Sequence, residues 1–241
     1  MKSIYYVLGG TKVLLAAAMF ASMSAHESSV VSGPDGKRLF ERETFGGNGR
    51  TCSTCHTSVT GTISPIEAQK RFKGNARDPL FLHDGSDDGR GKGASRMLKD
   101  ATLLVEIPLP SNVSLADDPA ARSVVVRRGI PSTVNTPALD RVLMMDGRQP
   151  DLASQAASAI AGHAQAKRTP TDADIQGITH FEATDDAFFS SPALREFARG
   201  GPVPQLPQGR TEAEKRGRRF FEDVTDLADF KHGACAACHS G

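Results

Sequence analysis

Apolar positions in this chain recur at helical spacing in short stretches, each bounded by glycine, proline or a capping residue. Residues 34–43 read as a helix opened by Pro34-Asp35-Gly36, with Leu39 and Phe40 on its apolar side. Gly46-Gly47-Asn48-Gly49 then breaks it. Ser64-Pro65-Ile66-Glu67 is a capping box with proline at the first helical position, and it starts a helix to about residue 72. The alternation changes to a two-residue period in two runs, 102–108 and 123–127, joined by Asp117-Asp118-Pro119, which predicts one small β-hairpin. Helical spacing returns after Asp151 (to about 165), after Thr171 (to 183) and after Ser191-Pro192 (to 199). Prolines at 202, 204 and 207 mark residues 201–210 as a linker, and Thr211-Glu212-Ala213-Glu214 caps a last helix.

The hexad Gly36-Lys37-Arg38-Leu39-Phe40-Glu41 returns as Gly217-Arg218-Arg219-Phe220-Phe221-Glu222. Each copy lies a similar distance ahead of a C-x-x-C-H run, Cys52-Ser53-Thr54-Cys55-His56 and Cys235-Ala236-Ala237-Cys238-His239, so the chain contains an internal repeat. Two thiols one helical turn apart can each form a thioether to a haem vinyl group, which leaves the following histidine to bind the iron. The motifs therefore predict two covalently bound haem c groups, with Cys52, Cys55, Cys235 and Cys238 as attachment points and His56 and His239 as axial ligands. A zinc site would need the two pairs roughly 15–20 residues apart. A thioredoxin-like pair would sit beside a βαβ pattern, and disulfides would leave the repeated histidine unexplained. The fold expected is mainly α: two cytochrome c-like haem domains in tandem, with one hairpin. Only Ser240 and Gly241 follow His239, so the second unit is expected to be truncated.

The N-terminus adds a compartment. Lys2 and Lys12 flank the start of an apolar run from Val13 to Phe20, and small residues follow at Ala21, Ser22, Ser24 and Ala25. That is the layout of a secretory signal peptide over residues 1–25. The run is shorter than the roughly 20 residues a spanning helix needs. Export to the periplasm is expected, and it agrees with haem c chemistry. The organisation is then a first haem domain over 26–200, the linker 201–210, and the start of a second haem domain over 211–241. Lys plus Arg at 29 against Asp plus Glu at 28 gives a net charge of +1, which provides no field for nucleic acid.

Between the haem motifs, Gly129-Ile130-Pro131-Ser132-Thr133-Val134-Asn135-Thr136-Pro137-Ala138-Leu139 leads to Met145-Asp146-Gly147-Arg148, Leu152 and Gln155. This order resembles the bacterial dihaem cytochrome c peroxidase and MauG superfamily, where a P-T-L-x-N stretch precedes W-D-G-R and L-x-x-Q. The resemblance implies an oxidoreductase in which the N-terminal haem reduces hydrogen peroxide. The C-terminal haem would receive electrons from a small redox carrier, a cytochrome c or a cupredoxin. A homodimer partner and an inter-domain calcium near Asn135 are also candidates. Residues 75–93 read as a solvated acidic loop; Asp84, Asp87 and Asp88 align in part with a calcium loop, but Ser95 stands where its glutamate should be. The family tryptophan is Met145 here, and no glutamate stands in the expected region after Gln155. His163 lies there instead and is the candidate acid/base. Met97, Met144 and Met145 are candidate sixth ligands, each with core packing as the plainer role. Non-enzymatic electron carriage, or service as the cytochrome subunit of a dehydrogenase, is the alternative function.

Overall fold

The computed structural model describes residues 35–222 together with 235 and 236. The expected signal peptide, His232, Cys238 and His239 lie outside the described residues. The fold is mainly helical, with one two-stranded antiparallel sheet. Among the described residues, no helix is long and apolar enough to cross a membrane.

Helix α1 (Gly36–Arg42) begins where the carboxylate of Asp35 accepts the Arg38 backbone N–H at 3.2 Å. Leu39 and Phe40 are its buried residues, as the pattern predicts. The glycine-rich break delivers the chain to α2 (Cys52–Cys55), a single turn in which the Thr54 hydroxyl accepts the Thr51 N–H at 2.9 Å. Helix α3 (Pro65–Gly74) opens on the expected capping box, the Ser64 N–H donating to Glu67 and the Glu67 N–H donating back to Ser64.

Helix α4 (Ser95–Asp100) was not legible in the local pattern. Its first N–H groups, from Ser95 and Arg96, are capped by the carboxylate of Asp87, eight and nine residues upstream. Strands β1 (Thr102–Pro108) and β2 (Ser123–Gly129) pair with Val105 opposite Val126, which extends the second expected run by two residues. A short α5 (Thr136–Leu139) follows, with Asn135 ahead of it at φ +71°. The Asn135 amide exchanges hydrogen bonds with Ser190, donating to its hydroxyl and accepting its N–H, both at 2.9 Å.

Helices α6 (Leu152–Gly162), α7 (Asp172–Thr184), α8 (Pro192–Ala198) and α9 (Glu212–Glu222) start at the expected caps, with residues 201–209 irregular between the last two. α6 ends three residues sooner than its pattern suggested. The carbonyl oxygens just past Gly162 are taken by the glycine-rich loop: Asn48 Nδ2 donates to His163 O at 2.9 Å, and Asn48 N donates to Ala164 O at 2.9 Å.

Two hydrophobic clusters form. One gathers Leu39 and Phe40 from α1, Phe45 from the loop after it, Ala156 and Ile160 from α6, Ile178 from α7 and Phe188 from the 3-10 turn that follows (Asp186–Phe188). Within it Phe40, Phe181 and Phe188 meet edge to face, with centroids 5.1–5.7 Å apart. The other gathers Ile63, Ala68, Leu80, Phe81, Met97, Leu103 and Ile130 beneath α3, α4 and β1. Cys52 packs on the first and Cys55 on the second, so the single turn of α2 links the two. Glycine permits the closest crossing: a Cβ on Gly36 would lie 2.0 Å from Gly177 O, so α1 and α7 meet backbone to backbone.

Candidate functional site

A cavity of about 230 Å³ lies between the two clusters, walled mostly by apolar side chains from α2, β1, α6, α7 and the segment 128–145. Cys52, Cys55, His56 and His163 all reach its wall, as do Met144, Met145 and Gln155. The first haem motif and the candidate acid/base, more than a hundred residues apart in sequence, thus share one cavity. Met97 does not reach it: the side chain is fully buried in the second cluster, in the packing role. Met144 adopts φ +71° at the cavity, while Met145 is 85 % exposed at its rim.

The two thiols are strongly desolvated. Burial pushes Cys52 up to about 12, helped by the negative charge of nearby Glu182, and pushes Cys55 up to about 11. Both are therefore neutral at physiological pH, and neither forms a disulfide. His56 makes one fixed hydrogen bond, from Nδ1 to the carbonyl of Gly61 at 2.8 Å. A carbonyl only accepts, so Nδ1 carries the proton and Nε2 keeps its lone pair. Burial lowers the His56 pKa and keeps the ring neutral. This is the tautomer an iron ligand requires.

At the cavity wall, Nδ1 of His163 donates to Oδ2 of Asp84 at 2.5 Å. The other oxygen of Asp84 pairs with the guanidinium of Arg50, which is 2 % exposed. Arg50 also donates to the carbonyls of Pro79, Leu80, Leu82 and His163, so its buried charge is fully surrounded by acceptors. Burial works against the Asp84 carboxylate, but the hydrogen bond from His163 and the charge of Arg50 outweigh it and hold its pKa below the usual range. The sequence suggested a solvated acidic loop here. Asp84 is instead buried, because the chain turns through two 3-10 turns (Pro79–Phe81 and His83–Gly85), and the carbonyls of Pro79 and Leu80 in the first and of Leu82 between them bind Arg50.

Asp87 and Asp88 are occupied by backbone donors. Asp87 caps α4, while Oδ1 of Asp88 accepts the N–H groups of Arg90 and Lys92 at 2.8 and 2.9 Å. Among the described residues, no group of three or more His, Cys, Asp or Glu is placed to hold a metal ion. His83 sits in the second 3-10 turn and His180 is exposed on α7; neither lines the cavity.

One group had no signal in the sequence. Glu182, on α7, is 5 % exposed and faces the cavity. It has no hydrogen-bond or ion-pair partner among the described residues, and burial pushes its carboxyl up to about 8. The helical period alone marks position 182 as following Ile178 on the inward face, where a glutamate reads as an exception to the pattern.

The donor set fits haem c: two neutral thiols one helical turn apart, a neutral imidazole with a free Nε2, and apolar walls between two clusters. By fold and site, the described residues define a mainly helical protein with one hairpin and a thiol- and imidazole-lined cavity. Comparison of the chain with family models, curated proteins and solved structures finds no match.

Proposed function

We propose that the chain is an exported dihaem c-type cytochrome built of tandem cytochrome c-like domains, and that it reduces hydrogen peroxide with electrons from a small redox carrier. The observation that carries this reading is the convergence of Cys52, Cys55 and His56 with the Asp84-bound His163 on one apolar cavity. Cys52 and Cys55 would hold the first haem by thioethers, and Nε2 of His56 would bind its iron. Cys235, Cys238 and His239 would hold the second. Haem bound in the cavity supplies an iron able to bind peroxide and deliver electrons to it.

The chain's own residues supply the rest. Asp84 fixes the ring of His163 with Nδ1 turned away and Nε2 left to hold or release a proton toward the cavity. Arg50 keeps Asp84 ionised, so the carboxylate orients the imidazole without taking its proton. Apolar walls exclude water and strengthen each of these charges. A second reading, electron carriage without catalysis, is favoured by the same arrangement if Nε2 of His163 binds the iron, since an aspartate behind a histidine also suits an axial ligand.

Spin state separates the two. The first haem is expected to be high-spin in the half-reduced protein and to turn over peroxide with a reduced carrier, with His163→Ala slowing turnover by about 10²-fold or more. Low-spin iron at both sites, inert to peroxide, would leave the carrier reading standing.

A further inference from the structure

Glu182 is a carboxyl that the peroxide reading does not use, and its setting is unusual. It is deeply buried, its side chain faces the cavity, and no described residue binds it. Buried polar groups are nearly always satisfied, so a bare carboxyl points to a missing partner or to a change of protonation state.

Among the surrounding side chains, His163 is the one that competes with Glu182 for a proton. α6 and α5, which pack on α7, contain no titratable side chain. The ionisable residues of α1 are exposed on its outer face. From α2, Cys52 is a titratable neighbour only as a free thiol, where burial pushes it up to about 12; joined to haem as a thioether it has no proton to exchange. On α7 itself, Asp174 pairs with Arg168 at the far end and His180 is exposed; Asp186, in the 3-10 turn after the helix, pairs with Arg195. Around the cavity the charges are tied. Asp84 holds Arg50 and His163, Glu43 holds Arg38 and Arg168, and Asp146 holds Arg128 and Arg148. Asp140 is exposed to water. Protonating Asp84, Glu43 or Asp146 breaks an ion pair, whereas protonating Glu182 breaks nothing; Nε2 of His163 is the other position at the cavity that can take a proton, and Glu182→Gln separates the two.

Resting on the haem reading above, we propose that Glu182 is the proton site coupled to electron uptake at the Cys52–Cys55 cavity. One electron arrives from the small redox carrier, and one proton passes from solvent to a carboxylate oxygen of Glu182. The net charge of the cavity is then the same before and after. Oxidation returns the electron to an acceptor and the proton to solvent. The physical reason is the low dielectric between the two clusters, where an uncompensated added charge is costly and a proton placed nearby cancels it.

The test uses the full-length, haem-loaded protein. The midpoint potential of the haem on Cys52 and Cys55 should fall by ~59 mV per pH unit around pH 8, the value for one proton per electron. Glu182→Gln should flatten that slope, and Glu182→Asp should keep it. Recorded just above pH 8, where Glu182 is ionised before reduction, reduced-minus-oxidised infrared spectra of the wild type should gain a carboxylic acid C=O band on reduction, and Glu182→Gln should lack it. A slope and band that survive in Glu182→Gln overturn the proposal while leaving haem attachment intact. If the glutamine variant does not mature, absence of the band in the wild type overturns it equally. A Cys52–Cys55 peptide whose mass lacks haem overturns the functional reading itself, and this inference with it.

Discussion

Two buried carboxyls, Glu182 at the cavity wall and Asp84 behind His163, behave in opposite ways, and the difference lies in their partners. Asp84 has an arginine and a histidine, so its ionised form is stabilised; Glu182 has neither, so its neutral form is. Their effects on stability have opposite signs. The lowered pKa of Asp84 contributes stability that is present above the unfolded value and lost in acid, as pH falls through the folded value. Glu182, raised from 4.5 to about 8, stays protonated in the fold while the unfolded chain ionises, so it costs stability progressively as pH rises through that window. Glu182→Gln is therefore expected to match the wild type in denaturant midpoint near pH 4.5. It should exceed it by roughly 5 kcal/mol above pH 8, since each tenfold change in proton affinity is worth about 1.36 kcal/mol. A constant gap across pH would show that Glu182 ionises freely in the fold.

At the scale of elements, the glycine-rich loop does more than end α1. Gly47 lies against the turn that follows α6, where a Cβ would come within 2.0 Å of Ala164 O, and Asn48 binds the carbonyls of His163 and Ala164. The loop thereby ends α6 at Gly162 and sets the direction of His163. Gly47→Ala forces backbone apart from backbone and should cost about 1–3 kcal/mol, within the range for overpacking. Because the displaced segment carries His163, it should also lower peroxide turnover more than a surface substitution of equal destabilisation; equal losses would detach the loop from the site. The α1–α7 crossing at Gly36 and Gly177 positions Glu182 in the same manner.

Across the described molecule, two hydrophobic clusters face each other over a cavity and are linked by the one turn that bears both thiols. Such an arrangement leaves apolar walls without packing partners, so a group bound between them contributes to stability as a core side chain does. Cys52→Ala with Cys55→Ala is expected to lower Tm by on the order of 10 °C, at about 2–4 °C per kcal/mol for a chain of this size. An unchanged Tm, read by circular dichroism, would mean that the clusters hold together without any occupant.

The sequence by itself determined most of the helix starts, the hairpin and the one-turn spacing of Cys52 and Cys55. Capping boxes at Ser64 and Thr171, the two-residue alternation of 102–108 and the C-x-x-C-H spacing are all settled within a few residues of chain, where local geometry leaves little choice. Tertiary structure alone decided which residues face the cavity together. Asp84 reads locally as part of a solvated loop, and becomes a buried anion only because Arg50 and His163 arrive from 34 residues before it and 79 after it. Glu182 reads as a flaw in an apolar helix face until that face is seen to border a cavity. Periodicity sets which side of a helix turns inward; what stands opposite depends on contacts between segments far apart in the chain.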